Sequence, residues 1–514
     1  MPQSTRSIDA NTSFFVYRPL LRDREWSRER KKDTKEADEA MSRNKKNIIV
    51  SDVEVTDAGA EGNAIVRVEG MVVFVPYVVP GDIIDLNIYK KKKSYAEGRA
   101  IALKKASPLR TEAPCEHFGV CGGCKWQMME YGAQLKYKQQ QVRDALERLG
   151  HIDTSGMQPI CGADRQYNYR NKLEFTFSSK RWLAAGEVRD PEDRGDVGFH
   201  VPGVFDKVLP IRECHLQGAP SNEIRNALRD YAIEHQLPFY DIRNHTGYLR
   251  NVVIRNTTTG ELMVIVIVAE DRPEWLEPMM EHIRERFPEI TSLLYIINQK
   301  MNDSYSDLEV RTYSGQGYIT EEMPRPFGGE PLKFRINPKS FYQTNSAQAY
   351  KLYSYVAEFA ELKGDETLYD LYTGTGTIGQ FLASKCGRVV GIEYVEAAIK
   401  DARLNAKING FENCTFYAGD MAEVLTEEFV RENGKPDIVV TDPPRAGMHD
   451  KVIGQLLNIR APRIVYVSCN PATQARDLSM LSEAYSIGRI QPVDMFPHTH
   501  HVENVVELIL RNKK

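Results

Sequence analysis

Val467-Ser468-Cys469-Asn470-Pro471 ends the apolar run that begins at Arg463, so the Cys469 thiol is expected at the end of a buried strand. A cysteine in that place is ordinary packing unless other reactive groups are brought to it. Three segments offer such groups: Asp370-Leu371-Tyr372-Thr373-Gly374-Thr375-Gly376, the loop Asp442-Pro443-Pro444-Arg445, and a late Glu503 in His501-Val502-Glu503. A thiolate is a nucleophile, a carboxylate is a base or an orienting acceptor, and glycines let a ligand approach the backbone. The combination points to a cysteine nucleophile in a methyl-transferring enzyme.

The glycine loop, G-T-G-T-I-G from Gly374 to Gly379, also satisfies the dinucleotide fingerprint. Glu393 ends the next predicted strand, where its carboxylate can accept both hydrogen bonds of a ribose diol. Asp420, in Ala418-Gly419-Asp420, is placed to accept from an adenine amino group. Acidic lining suits a positively charged sulfonium cofactor better than a pyrophosphate. Taken singly, each of these residues is explained equally well by a turn or a cap. Acid-proline-proline loops also hold exocyclic amines in amino-methyltransferases, which leaves adenine or guanine methylation open; Cys469 and Glu503 tip the reading toward carbon. The two prolines stiffen that loop, and Arg445 either meets a phosphate or buttresses it. The adjacent histidines of Pro497-His498-Thr499-His500-His501 converge poorly, and no metal is assigned to them.

Cys115, Cys121 and Cys124 stand in C-x5-C-x2-C spacing around Gly122-Gly123. Thiolates so spaced bind zinc or an iron–sulfur centre, with a fourth ligand from Cys214 or Cys161. The eight cysteines do not form a disulfide-like framework, so reduced, cytoplasmic chemistry is expected.

The elements that must position these groups divide the 514 residues into several domains. Residues 1–46 carry dense mixed charge and are expected to be a disordered extension. Residues 47–106 hold short β-type runs separated by glycine and proline, which predicts a small barrel; Lys90, Lys91, Lys92 and Lys93 lie in one of its connections and could meet phosphates. A helix is predicted from about Tyr131 to Leu149, with Leu135, Val142, Leu146 and Leu149 inward and the intervening Lys and Gln residues in water. Residues 107–325 include the cysteine segment and a mixed α/β lobe. Residues 326–514 alternate strands and helices as in an open α/β sheet with its functional loops beyond the strand carboxyl ends.

With 42% hydrophobic and 27% charged residues and a formal charge of -4, the chain is not a uniformly basic nucleic-acid binder, although a local basic cleft is compatible with those values. Its apolar runs, such as Leu262 to Ala269, are too short to span a bilayer. The polar start lacks the order of a secretory signal.

The succession of barrel, C-x5-C-G-G-C, mixed lobe, N-P-x-S-F-x-Q-x-N, D-x-x-x-G-x-G-x-x-G, D-P-P-R, S-C-N-P and H-x-E resembles the RNA (uracil-5-)methyltransferases. The resemblance is strongest to the 23S ribosomal-RNA enzymes that carry a TRAM barrel and an iron–sulfur cluster. It implies an N-terminal TRAM/OB-like β-barrel, a central RNA-binding lobe and a C-terminal Rossmann-like methyltransferase domain. It further implies S-adenosyl-L-methionine bound by Gln343, Asp370, Tyr372, Gly374, Gly376, Glu393, Asp420 and Asp442, and a [4Fe-4S] cluster on Cys115, Cys121, Cys124 and Cys214, with zinc as the alternative. Cys469 matches the nucleophile that adds to uracil C6, Glu503 the base and Asp442 the carboxylate that holds the base edge. Thr373 stands where many relatives have cysteine. Structured RNA, most often 23S ribosomal RNA, is the implied partner, contacted by Lys90 to Lys93, Arg170, Lys172, Phe341 and Arg445, with Tyr167 and Tyr169 as stacking candidates. A transfer-RNA enzyme and a non-catalytic ribosome-assembly module are the alternatives. The enzyme is expected to be a cytoplasmic monomer with no obligatory protein partner and no membrane association.

Overall fold

The computed structural model describes residues 48–184, 186–190 and 193–512. The charged extension expected over residues 1–46 lies outside them.

The chain divides into two compact units. The first contains a closed barrel of β1 (Ile48–Ala58), β2 (Ala64–Val68), β3 (Met71–Val75), β4 (Ile83–Lys91) and β5 (Tyr95–Lys105), in the order β1-β2-β3-β5-β4. Alternate residues such as Val66, Val73, Val75, Ile84 and Leu86 fill it, because side chains of period two can all face the axis. Closure leaves no unpaired strand edge. Asp82, fully buried, fixes the β3–β4 connection by accepting from the Val79 and Ser107 amides at 2.7 and 2.9 Å and from Arg110.

The second unit begins its regular structure with α1 (Tyr131–Gly150). Val142 and Leu146 are buried as expected, but Leu149 is 60% exposed. Gln134 and Lys138, expected in water, are fully buried. Lys138 Nζ donates to Asp494 Oδ1 at 2.6 Å and to the Phe496 carbonyl at 3.0 Å, and Tyr131 donates to Asp494 Oδ2 at 2.7 Å. A polar partner reached from far along the chain thus reverses the face that local periodicity predicted.

A seven-stranded sheet follows, ordered β12-β11-β10-β9-β6-β7-β8. Its strands are β6 (Lys172–Ser178), β7 (Asp196–Val201), β8 (Val204–Pro210), β9 (Leu249–Asn256), β10 (Leu262–Val268), β11 (Ser292–Ile297) and β12 (Arg311–Gly315). On one face Val264, Val266 and Val268 pack with α2 (Ser221–Glu234) and α3 (Pro273–Arg286); on the other, Met263, Ile265 and Ile267 join the core of the catalytic sheet. A strand buried on both faces reads as the unbroken apolar run LMVIVIV.

After the hairpin β13 (Ile319–Met323) and β14 (Leu332–Ile336) comes α4 (Ser346–Ala360). The last sheet contains β15 (Thr367–Leu371), β16 (Arg388–Glu393), β17 (Cys414–Ala418), β18 (Ile438–Thr441), β19 (Arg463–Ser468), β20 (Tyr485–Val493) and β21 (Glu503–Leu510), ordered β17-β16-β15-β18-β19-β21-β20. Its helices are α5 (Thr377–Leu382), α6 (Glu396–Ile408), α7 (Met421–Val424), α8 (Glu427–Asn433), α9 (Asp450–Ile459) and α10 (Pro471–Leu481). The first five of these strands in the order are parallel, and β21 is antiparallel to β19. This is an open, Rossmann-like α/β sheet, preceded in sequence by a small closed barrel. No helix of the described residues is long and apolar enough to cross a membrane.

Candidate active site

The strand order reverses between β15 and β18, and ligand sites of open α/β sheets form at such a switch point, beyond the strand carboxyl ends. On one side of it β15, β16 and β17 deliver Asp370, Glu393 and the Asp420 loop. On the other side β18 ends just before Asp442 and β19 just before Cys469. Because β21 runs the opposite way, its first residue lies at the same edge: Ser468 pairs with Asn504, so Cys469 and Glu503 occupy the next facing positions. Sheet topology therefore brings together three residues separated by up to 61 positions in sequence.

The Asp442 loop is held from below. Fully buried Asp477 of α10 accepts from the Met448 amide at 2.8 Å and the Tyr466 hydroxyl at 2.6 Å. Gly447 turns there at φ 80°, and a Cβ would lie 2.7 Å from both Arg476 Nη2 and Asp477 Oδ2. The Arg445 carbonyl accepts from Asn470 Nδ2 at 3.0 Å and Thr473 Oγ1 at 3.1 Å, which joins the loop to the start of α10. Asn470 caps that helix through the Ala472 amide, and Pro471 occupies its first turn.

Electrostatically the site is crowded with acids. Burial, then Asp442, pushes Glu503 up to about 8, with Arg445 opposing. Burial, then Asp370, pushes Asp442 up to about 7, and burial pushes Asp370 to about 6 despite its hydrogen bonds from Thr373 and the Gly379 amide. Cys469 is pushed up to about 11 by burial, Glu503 and Asp442, with the Arg445 guanidinium opposing. Desolvation and two carboxylates outweigh one guanidinium and the adjacent helix N-terminus.

The glycine loop begins at Tyr372, held at φ 62°. Thr373 faces Asp370 and donates to its Oδ2 rather than simply lining a pocket. Asp370 Oδ1 is buried with no hydrogen-bond partner. Gly374, at φ 55°, has open space where a Cβ would point, and Gly376 forms the cap of α5. Glu393 accepts from the Gly374 amide at 3.2 Å and the Val395 amide at 2.9 Å, which leaves lone pairs on both oxygens. Asp420 is exposed, and one of its oxygens caps α7 through the Ala422 amide. An orphaned carboxylate oxygen, open backbone at Gly374 and spare acceptors on Glu393 fit the expected adenosyl sulfonium cofactor.

Gln343 sits on a segment fixed from two elements. Arg255 of β9 donates to the Asn337 and Ser340 carbonyls at 3.0 and 2.7 Å, and Asp401 of α6 accepts from Asn337 Nδ2 at 2.5 Å and from Ser340. Asn171 donates to the Gln343 carbonyl at 2.9 Å. Beside it Phe341 is 65% exposed. Tyr353 of α4, a residue the sequence reading missed, is buried with its ring in the core. The hydroxyl of Tyr353 feels Asp442, Asp370 and Glu503 together, and its pKa is raised well above the ordinary value, chiefly by burial. Its helical spacing with Ala349, Leu352 and Val356 marks it as core; no local signal shows the polar end.

The other RNA candidates are placed as follows. Arg170 lies over the Phe496 ring at 5.2 Å, and half-buried Lys172 pairs across the sheet with Arg255. Tyr169 is buried and donates to the Pro497 carbonyl at 3.1 Å, while Tyr167 stacks on His498 at 4.4 Å. Both tyrosines therefore anchor the loop before Glu503. In the barrel, Lys90 pairs with Glu97 at 2.8 Å and Lys92 with Tyr95, while Lys91 and Lys93 are exposed.

The expected metal centre is corrected. Among the described residues no group of three or more His, Cys, Asp or Glu side chains is arranged to hold a metal ion, so neither a [4Fe-4S] cluster nor zinc is assigned to Cys115, Cys121, Cys124 and Cys214. Spacing along the chain does not guarantee that four sulfurs converge. Cys386, in the turn before β16, is buried, and Cys414, at the start of β17, is half-buried.

Residues 308–511 match the family model described as tRNA (Uracil-5-)-methyltransferase. An uncharacterized RNA methyltransferase of Bacteroides thetaiotaomicron is 55% identical over 88% of this chain and 100% of its own length. One from Porphyromonas gingivalis is 54% identical over 90% of this chain and 100% of its own. The crystal structure of Pyrococcus abyssi tRNA (uracil-54, C5)-methyltransferase in complex with S-adenosyl-L-homocysteine superposes with a TM-score of 0.69 at 28% identity, covering 89% of this chain and 99% of that one. Full-length relatives at such identity, together with a uracil-methyltransferase match across the whole catalytic sheet, establish that the chain belongs to the RNA (uracil-5-)methyltransferase family.

Proposed function

We propose that this enzyme methylates C5 of a uridine in transfer RNA, with Cys469 as nucleophile, Glu503 as base and Asp442 as the uracil-orienting group. The observation that carries the reading is the facing of Cys469 and Glu503 on adjacent strands, beside Asp442 and across the switch point from the glycine loop.

Uracil C5 is a weak nucleophile until addition at C6 makes it the carbon end of an enolate. The Cys469 thiolate, stabilised by Arg445, adds to C6, and the C5–C6 electron pair moves toward C5 and the O4 carbonyl. Asp370, Gly374, Glu393 and Gln343 would hold S-adenosylmethionine, whose sulfonium would supply the methyl group to C5, with the sulfur keeping the electron pair of the broken sulfur–methyl bond. Glu503 then removes the C5 proton. That C–H electron pair reforms the C5–C6 double bond, and the C6–S bond breaks with its electrons returning to Cys469. A carboxylate whose pKa is pushed up to about 8 is a stronger base than an exposed glutamate, which suits this step. Asp442 accepts from uracil N3–H; cytosine, which lacks that proton, leaves the carboxylate buried and unpaired at a cost of about 1–3 kcal/mol.

Transfer RNA is favoured over 23S ribosomal RNA by the description of the matching family model and by the printed substrate of the P. abyssi enzyme. The ribosomal reading loses the metal centre on which it partly rested. Mapping 5-methyluridine in both RNAs before and after gene deletion tests the proposal. The expected result is loss from transfer RNA; loss from 23S ribosomal RNA alone would overturn the substrate, and loss of a methylated amino group instead would overturn the reaction.

A further inference from the structure

The activating cation has an anchor of its own. The backbone of Arg445 is tied to α10, but its residue is exposed, and a long guanidinium side chain in that setting carries much rotamer freedom. Something must hold its far end toward the sulfur. Arg445 Nη2 lies 2.6 Å from His501 Nδ1 and 3.3 Å from His501 Nε2. A donor in line with one ring lone pair points away from the other nitrogen, so closeness to both places the guanidinium against the face of the imidazole. The ring is itself oriented: Phe496 meets it edge-on with centroids 6.4 Å apart, and His500 lies 4.1 Å away on a tilted plane. The Arg445 carbonyl is tied to Asn470, the residue after Cys469, and the positive charge of its guanidinium favours the ionised forms of both Cys469 and Glu503.

We propose that His501 is a positioning residue whose ring face holds the Arg445 guanidinium beside Cys469 and so sets the reactivity of that thiol. An uncharged aromatic face attracts a cation, whereas a protonated imidazole would repel it. Burial, followed by His500, Arg445, Lys138 and Arg170, pushes His501 down to about 3, which favours the uncharged ring. The groups acting on Cys469 itself are Glu503 and Asp442, which raise it, and Arg445, which lowers it. Only Arg445 among these depends on His501 for its placement.

The inference rests on Cys469 as the reactive thiol, and its test is independent of turnover. Full-length wild-type, His501→Leu and His501→Phe proteins are alkylated with iodoacetamide across a pH series without RNA, and Cys469 modification is followed by peptide mass spectrometry. His501→Leu keeps bulk without a π face and is expected to shift the Cys469 profile upward by about one pH unit, or about tenfold slower labelling near pH 8. His501→Phe keeps the face and is expected to stay within about twofold of wild type. A His501→Leu profile that coincides with wild type, or a His501→Phe profile displaced as far as that of Leu, would overturn the inference. Separately, undiminished methyl transfer by Cys469→Ala would defeat the nucleophile assignment while leaving the alkylation result standing.

Discussion

Replacing Glu503 with Gln is expected to stabilise the folded protein while it stops turnover. Glu503 is buried, and its pKa is pushed up to about 8 from an ordinary 4.5 by burial first and Asp442 second. Since the folded value lies above the unfolded one, the contribution of Glu503 to stability is complete below about pH 4.5 and is lost as the pH rises through about 8. At pH 7 the unfolded chain gains two and a half pH units of ionisation from this side chain, at about 1.4 kcal/mol each, or ~3 kcal/mol. Gln fills nearly the same volume and does not ionise, so the variant escapes that loss. Part of the strain is the repulsion from Asp442, which eases when either group is neutral, and the expected gain is therefore about 1–3 kcal/mol near neutral pH. Urea unfolding of both proteins at about pH 5 and about pH 8 measures it. The midpoint difference should widen toward pH 8; a difference independent of pH, or a less stable Gln variant at pH 8, would refute the electrostatic reasoning.

Other substitutions probe the parts that hold the site. Lys138→Met leaves Asp494 buried without its cation and should cost about 3–5 kcal/mol in a thermal or denaturant melt; an unchanged melt would contradict the structural role of that pair. Gly447→Ala places a Cβ 2.7 Å from Asp477 Oδ2 at φ 80°, and should destabilise the Asp442 loop by about 1–3 kcal/mol and slow methyl transfer, as measured by unfolding and single-turnover assays. Asp442→Asn should reduce the preference for uridine over cytidine at the target position by about tenfold or more, read by competing the two RNAs. A preference equal to that of wild type would remove Asp442 from base recognition.

The parts of the site carried by continuous motifs were legible in the sequence, because strand-end loops keep their chemistry within a few residues. Cys469 after β19, Asp442 after β18 and the glycine loop after β15 are of this kind, and the α/β alternation of residues 367–510 predicted the sheet that aligns them. What joins the pieces was not legible. Lys138 has a polar neighbour in sequence on every side and read as solvated, yet its partner Asp494 lies 356 positions away. Tyr353 read as core because its ring is core; only its hydroxyl reaches the acids. The direction of Arg445 depends on His501, which arrives on the far side of β19. The cysteine spacing failed for a related reason: three thiols close in sequence carry no information about convergence with a fourth ligand in space.

The most direct test of the central claim is peptide-level mass spectrometry of Glu503→Gln enzyme mixed with S-adenosylmethionine and RNA that contains the target uridine. The account predicts a covalent adduct between Cys469 and a uridine that already carries the new methyl group, because the C5 proton can no longer be removed. Continued turnover with no adduct at Cys469, or an adduct at another residue, would contradict it.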